Sequence, residues 1–236
     1  MKRPVYLIGA SVPPGNRIKS FYKPDDQGAL FLLKSTNRNR FRNGSFDIAI
    51  PDEPKDGPEN SLQLQWEDRK LLRLYQDGTL LFRAAADEEF LGWGASQEEF
   101  LQRPRINPVA MVELNTSFVN FYKLIVDRLK KQPEEIKIKL CIKNSVVNNK
   151  RLFITEYFET EFKSIFNPEI FPIANDPAET EIEVSPQTVQ SNPNRAAFLV
   201  VKAFVDMFDL PEAKIHFIKK GPEGPEIDLE TIRHLR

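Results

Sequence analysis

Cysteine is almost absent: Cys141 is the only one. No disulfide can close within the chain and no cysteine-based zinc site can form, which fits a reducing compartment. Histidine is nearly as scarce, with His216 and His234 alone. His234 stands close to the C-terminal end, so a histidine metal site or a Ser-His triad would rest on His216. That residue is read as an ordinary strand-surface histidine. Glycine numbers only 10. Neither G-x-x-x-x-G-K-[ST] nor G-x-G-x-x-G occurs, so the common phosphate-cradling loops are missing. LGWGAS (91–96) offers only Gly92-Trp93-Gly94, read as a turn packed by an aromatic ring. No long apolar run exists. After Met1-Lys2-Arg3, Val5 to Ala10 is too short for a signal segment or a membrane span, and a soluble, cytoplasmic protein is expected. No repeat of fixed period is visible.

Net charge is lacking too, at −1 over 236 residues, so the whole chain is no strong attractor of nucleic acid or anionic membrane. The charge is unevenly placed. Residues 1–50 hold nine Lys/Arg against three Asp, a local +6; the rest hold 24 against 31, a local −7.

Phe and Pro are abundant, at 18 each, giving an aromatic core and stiff connections. Strands are expected at 4–10, 29–34, 46–50 and 62–66. The stretch LLRLYQDGTLLFRA (71–84) reads as a hairpin whose two-residue Asp77-Gly78 loop sets Leu74 opposite Leu81. Both faces of that hairpin carry apolar residues, so it is read as lying between two layers. Ser96 with Glu99 marks a capping box for a helix over 95–103. Asn107-Pro108 and Asn192-Pro193 are helix starts, because Asn accepts from free N–H groups and Pro at the first position loses no helix bond. They open the two main helices, about 108–131 and 194–209. EIKIKLCIK (135–143) alternates as a strand with 151–158 as its partner. A last strand is read over 213–220. The order predicts an α+β fold, a mixed or antiparallel sheet with the two helices packed on it. The domain reading is a basic β segment over 1–50, either separate from or part of the main domain, a main domain over 61–218 and a loose tail over 219–236. PDEPKDGPEN (51–60) is the exposed connection.

Three stretches carry candidate chemistry. Arg38, Arg40 and Arg42 around Phe41, with Arg17, Lys19 and Lys23 in the same half, can grip phosphates and stack a base. Glu161-Phe162-Lys163, near Glu156 and Glu159, has the E-x-K form of metal-dependent nucleases, with distant Asp52 as the literal acidic partner; it is read first as a solvated strand end, with the nuclease as the alternative. Cys141 shares a strand face with three lysines, which would lower a thiol pKa, but no base stands on that strand, and Cys141 is read as a small packing residue, with a nucleophile as the alternative.

RLYQDGTLLF (73–82), INPVAMVELNTSFVNFYKLI (106–125), IKIKLCI (136–142), RLFI (151–154) and AAFLVVKAFVDMFDL (196–210) follow one another in a familiar order. The arrangement resembles the C-terminal region of bacterial putative DNA-binding or ATP-binding proteins that carry an AlbA-like, Schlafen-type domain in front. PVYLIGAS (4–11) looks like the closing strand of such a front domain. The resemblance implies that this chain is the back half of such a protein and a regulatory or interaction module, in a bacterial regulatory or defence setting. It carries over no catalytic residue. The leading expectation is therefore a non-enzymatic binding module with no cofactor, working with a protein partner or an upstream domain. Nucleic-acid binding through the basic half, and a metal-dependent nuclease, are the alternatives.

Overall fold

The computed structural model describes residues 2–16, 18, 27–38, 46–155 and 169–234, without the side chains of residues 27, 37 and 38. Seven strands form the main sheet: β1 (Val5–Ser11), β2 (Lys55–Gly57), β3 (Ser61–Trp66), β4 (Lys70–Tyr75), β5 (Leu80–Ala85), β7 (Ile136–Lys143) and β12 (Ala178–Val184). Their order is β12-β7-β1-β5-β4-β3-β2, and every pairing is antiparallel. Smaller pieces surround it. β6 (Arg105–Ile106), β10 (Phe153–Thr155) and β11 (Ile170–Pro172) make a three-stranded sheet; β8 (Val146–Val147) pairs with β9 (Lys150–Arg151), and β13 (Ile218–Gly221) with β14 (Gly224–Ile227). The helices are α1 (Gln27–Lys34), α2 (Gln97–Gln102), α3 (Pro108–Val126), α4 (Pro186–Ser191), α5 (Pro193–Asp206) and α6 (Leu229–Arg233). The fold is α+β, and no helix among the described residues is long and apolar enough to cross a membrane.

The caps read from the sequence form as expected. Ser96 and Glu99 exchange both bonds of a capping box at α2. The Asn107 side chain accepts from Val109 N and Ala110 N at the start of α3, and that of Asn192 from Arg195 N at the start of α5. Both main helices end earlier than expected. After α5, Asp209 takes a left-handed φ of 53° and Leu210 N returns to Val205 O, which stops the helix. After α3 the last turns tighten, and Leu129 folds back on the β4–β5 hairpin.

That hairpin corrects the expected register. Tyr75 N donates to Thr79 O and Gly78 N to Tyr75 O, so the loop has three residues, with Gly78 at φ +93°. Three-residue loops need a left-handed residue in that place, and glycine supplies it. Leu74 then lies opposite Leu80 and Leu72 opposite Phe82. The one-residue shift sorts the hairpin's faces: Leu72, Leu74, Leu80 and Phe82 are fully buried, while Leu71, Arg73, Tyr75, Leu81 and Arg83 are only half-buried. The hairpin is thus not enclosed between two layers. On the inner side, Tyr6, Ile8, Leu140 and Ile142 join its buried leucines beneath α3 and α5, with the Tyr6 ring edge-on to Phe204 at 5.5 Å.

Four other expected strands change. ALFLLK is the end of helix α1, since a short apolar run has no period to separate helix from strand. Residues 46–50 are buried but join no sheet. Phe46 N donates to the Glu113 carboxylate (2.9 Å) and Ile48 N to Ser117 Oγ (3.5 Å), while the carbonyls of Asp47 and Ala49 accept from Lys70 Nζ (2.8 and 3.2 Å). Side chains of α3 and β4 thereby replace a strand ladder on both of its edges. The partners of β7 are β1 and β12, not the segment after 150; β10 pairs instead with β6 and β11. At 213–220 only the part from Ile218 is strand, preceded by a 3-10 turn at Glu212–Lys214. Beyond 219, read as a loose tail, lie β14 and α6, with Ile227 and Ile232 fully buried.

Two stability outcomes follow. A Cβ on Gly78 would meet Leu129 Cδ2 at 2.7 Å, at a positive φ. Gly78→Ala should cost about 1–3 kcal/mol in urea unfolding; an unchanged midpoint would contradict this packing. Lys70→Met leaves two buried carbonyls without their donor, and should cost about 2–4 kcal/mol. Hydrogen exchange should then show faster exchange at the Phe46 and Ile48 amides.

Candidate binding face

Among the described residues, the helices pack on one side of the main sheet. Its outer side is built from the other parity of each strand: Val5, Leu7, Gly9 and Ser11 on β1, Leu81 and Arg83 on β5, and Leu71, Arg73 and Tyr75 on β4. β7 contributes Lys137, Lys139, Cys141 and Lys143, and β12 contributes Glu179, Glu181 and Glu183. Register sets the rows. Leu7 lies between Cys141 and Arg83, and Gly9 between Lys139 and Leu81. An antiparallel sheet with one solvated face usually turns polar residues outward. Here the middle three strands turn Val5, Leu7, Leu81 and Leu71 outward, all half-buried.

Charged residues flank this apolar floor, and Arg83 rises within it, between Leu7 and Leu71. Lys139 Nζ is 2.7 Å from Glu179 on the edge strand, and Lys137 is 3.6 Å from both Glu135 and Glu183. On the other flank Arg73 donates to Gln63 Oε1 on β3 at 3.0 Å, and Arg83 reaches Asp68 at 4.0 Å. The result is an apolar strip interrupted by Arg83 and flanked by paired charges of both signs, with Glu179, Glu181 and Glu183 on β12, Glu135 before β7 and Asp68 beyond β3.

Cys141 sits in this face but is buried, and its thiol donates to Glu179 Oε1 at 3.4 Å. Burial, then Glu179, pushes the thiol up to about 11, outweighing the nearby Lys143 and Lys139. The lysines' influence on the thiol is thus outweighed, which argues against the nucleophile and fits the favoured reading of Cys141 as a small packing residue. His216 is not on a strand. It precedes β13 and lines a small apolar cavity with Met111, Val201, Phe204 and Phe217, of about 30 Å³, room for roughly one water. Asp52 lies exposed at a polar depression with Glu53, Lys55, Gln63 and Glu67. Trp93, in its Gly92–Gly94 turn, is 60 % exposed, its ring 5.7 Å from Phe46.

The nucleic-acid candidates are not brought together among the described residues. Arg17, Lys19, Lys23, Arg40, Phe41 and Arg42 lie outside them, and Arg38 is described only in its backbone, at the end of a 3-10 turn. Glu156, Glu159, Glu161 and Lys163 also lie outside. Among the described residues no group of three or more His, Cys, Asp or Glu is placed to hold a metal ion.

No family model, curated protein or solved structure matches the chain. The geometry of the face therefore carries the functional argument. Composition and motif reading missed this face, because which residues share it depends on strand register. The signal was present in VYLIGAS and LLRLY, where apolar residues occupy both parities.

The raised thiol has a direct readout. Iodoacetamide should modify Cys141 at pH 8 on the order of a hundredfold more slowly than an exposed thiol, with the rate climbing toward pH 11. Glu179→Gln removes the carboxylate charge that raises the thiol, leaving burial as the main cause, and should shift that profile to lower pH.

Proposed function

We propose that this chain is a non-enzymatic binding or regulatory module that works with a partner chain or domain through the face of its large sheet opposite α3 and α5. The observation that carries this reading is the set of half-buried Val5, Leu7, Leu81 and Leu71, interrupted by Arg83, on the side of the sheet away from α3 and α5. Contiguous apolar surface with a polar rim is what interaction sites present. The resemblance to a region that follows an AlbA-like, Schlafen-type domain supports the same reading, since such a module acts beside another domain in a bacterial regulatory or defence protein.

The reading is tested with a photo-crosslinking residue placed at Leu81, and at Lys202 on the outer side of α5 as the control, in cells that make the chain. A discrete adduct from Leu81 and none from Lys202 is expected. A chain that stays uncoupled at Leu81, or couples equally from both places, would count against the face.

Nucleic-acid binding through the basic half is a second reading, favoured by the +6 charge of residues 1–50. It requires salt-dependent binding that Arg38→Ala, Arg40→Ala and Arg42→Ala together weaken; no binding at low salt ends it.

A further inference from the structure

Among the described residues, Glu113, Asp47 and Lys70 are the most deeply buried charged side chains, and all three meet at residues 46–50. Helix α3 offers Glu113 and Ser117 to the amides of Phe46 and Ile48, and β4 offers Lys70 to the carbonyls of Asp47 and Ala49. These bonds hold main-chain groups, which is how a groove grips a bound peptide, while side-chain pockets give specificity. The pockets are present too. Ile48, Ala49 and Ile50 are sealed in the core, and the Phe46 ring packs on Phe90 and Trp93. Asp47 accepts from Ala49 N at 3.0 Å and lies 3.7 Å from the Lys70 ammonium.

The segment is separable from the rest of the fold. It joins no sheet, so every pairing of the main sheet stands without it. Residues 51–53, which follow, are exposed and irregular, and the ion pair of Glu53 with Lys34 is solvent-facing and weak. Charges held out of water are costly, and a buried ion pair is often no more stabilising than an apolar seat of the same size. When the segment leaves, Glu113, Asp47 and Lys70 regain water, which offsets part of the lost apolar contact. The charges also forbid an empty, dry groove, because each needs either water or a new backbone segment as partner.

We infer that residues 46–50 are an autoinhibitory occupant of a peptide-receiving groove between α3 and β4, and that a partner protein's segment of the same pattern, apolar–Asp–apolar–small–apolar, displaces them. The chain's own segment is the template for that partner. The apolar positions match the seats of Phe46, Ile48 and Ile50, the small one matches Ala49, and the Asp supplies the carboxylate beside Lys70. The groove lies on the inner side of the sheet, with Lys70 in the same buried row as Leu72 and Leu74. It is thus across the sheet from the face proposed above and does not depend on it.

The test uses the full chain and a fluorescent synthetic peptide of residues 46–53, FDIAIPDE, followed by anisotropy. Ile48→Ser in the chain loosens its own segment while leaving the groove's Glu113, Ser117 and Lys70 in place. The peptide should bind Ile48→Ser at least about tenfold more tightly than it binds the wild type. Adding Lys70→Met to Ile48→Ser should remove that gain, and a peptide of the same composition in scrambled order should bind neither protein. Hydrogen exchange on the wild type gives a second readout. The amides of Phe46, Ile48 and Ala49 should exchange at least about tenfold faster than those of β5, because the segment opens without the sheet. Should Ile48→Ser fail to fold, Ile48→Val and this exchange measurement decide. Several results overturn the inference: no peptide binding to the loosened chain, equal binding to it and to the wild type, a gain that survives Lys70→Met, or exchange of the segment only at the rate of β5. A concentration-dependent dimer of the wild type that Ile48→Ser abolishes assigns the segment to exchange between copies of the chain and overturns it as well.

Discussion

Helix α3 is buried from Val109 to Val119, so each polar side chain it carries there needs a partner in the interior. Asn115 accepts from the Tyr6 hydroxyl at 2.6 Å and donates to Met111 O at 2.9 Å, which fixes the helix on the central strand β1. Glu113 and Ser117 accept from the backbone of residues 46–50, and Thr116 turns back on Val112 O. Lys70, only 5 % exposed, holds the opposite edge of that segment and lies 4.4 Å from the Phe90 ring. A buried carboxylate and a buried ammonium thus share one stretch of backbone as common partner. Buried polar groups of this kind add little net stability, but they penalise every arrangement that leaves them unpaired. Here they set which side of the sheet the helices must cover.

Covering one side decides the character of the other. With α3 and α5 committed to the face of Tyr6, Ile8, Leu72 and Phe82, no described helix packs on the opposite face, and its leucines stay half-buried. An open sheet also has edges, which invite unwanted strand pairing. β12 meets that with alternating Glu179, Glu181 and Glu183, and β2 with a length of three residues. The edges are thus protected against association, while the centre of the face is not.

What could be read from the sequence follows from the range of the signal. Caps are local, so Ser96, Asn107 and Asn192 announced their helices directly. Long clean alternation is local too, and 136–143 formed a strand with its isoleucines inward as expected. Pairing is not local: β7 finds β12 and β1 across loops or most of the domain, and no period in its own residues says so. The hairpin failed by a single residue, because Asp-Gly suits both a two-residue loop and the last two positions of a three-residue one. That slip exchanges the inner and outer sets on β4 relative to β5, so the outer face could not be assembled without it. FDIAI misled for another reason. Its apolar content reported burial correctly, but its hydrogen-bond partners are side chains of Glu113, Ser117 and Lys70 from distant elements.

The apolar floor of the outer face is tolerable in the free chain because neighbouring side chains shield it. The stems of Arg73, Arg83 and Lys139 are apolar along most of their length and can lie on adjacent leucines while their charged ends reach outward. Those ends are held by contacts at the surface, such as Lys139 with Glu179 and Arg83 with Asp68, with side chains from about a third to more than half exposed. Ion pairs of this exposure contribute about 0–1 kcal/mol each. Rearranging the rim therefore costs little, whereas each square ångström of leucine surface removed from water contributes about 25 cal/mol. The balance favours a covered face over a bare one, and it does so without any change in the sheet or in the helices beneath it. The buried polar contacts that lock α3 to β1 and to residues 46–50 keep the floor in place while the rim adjusts.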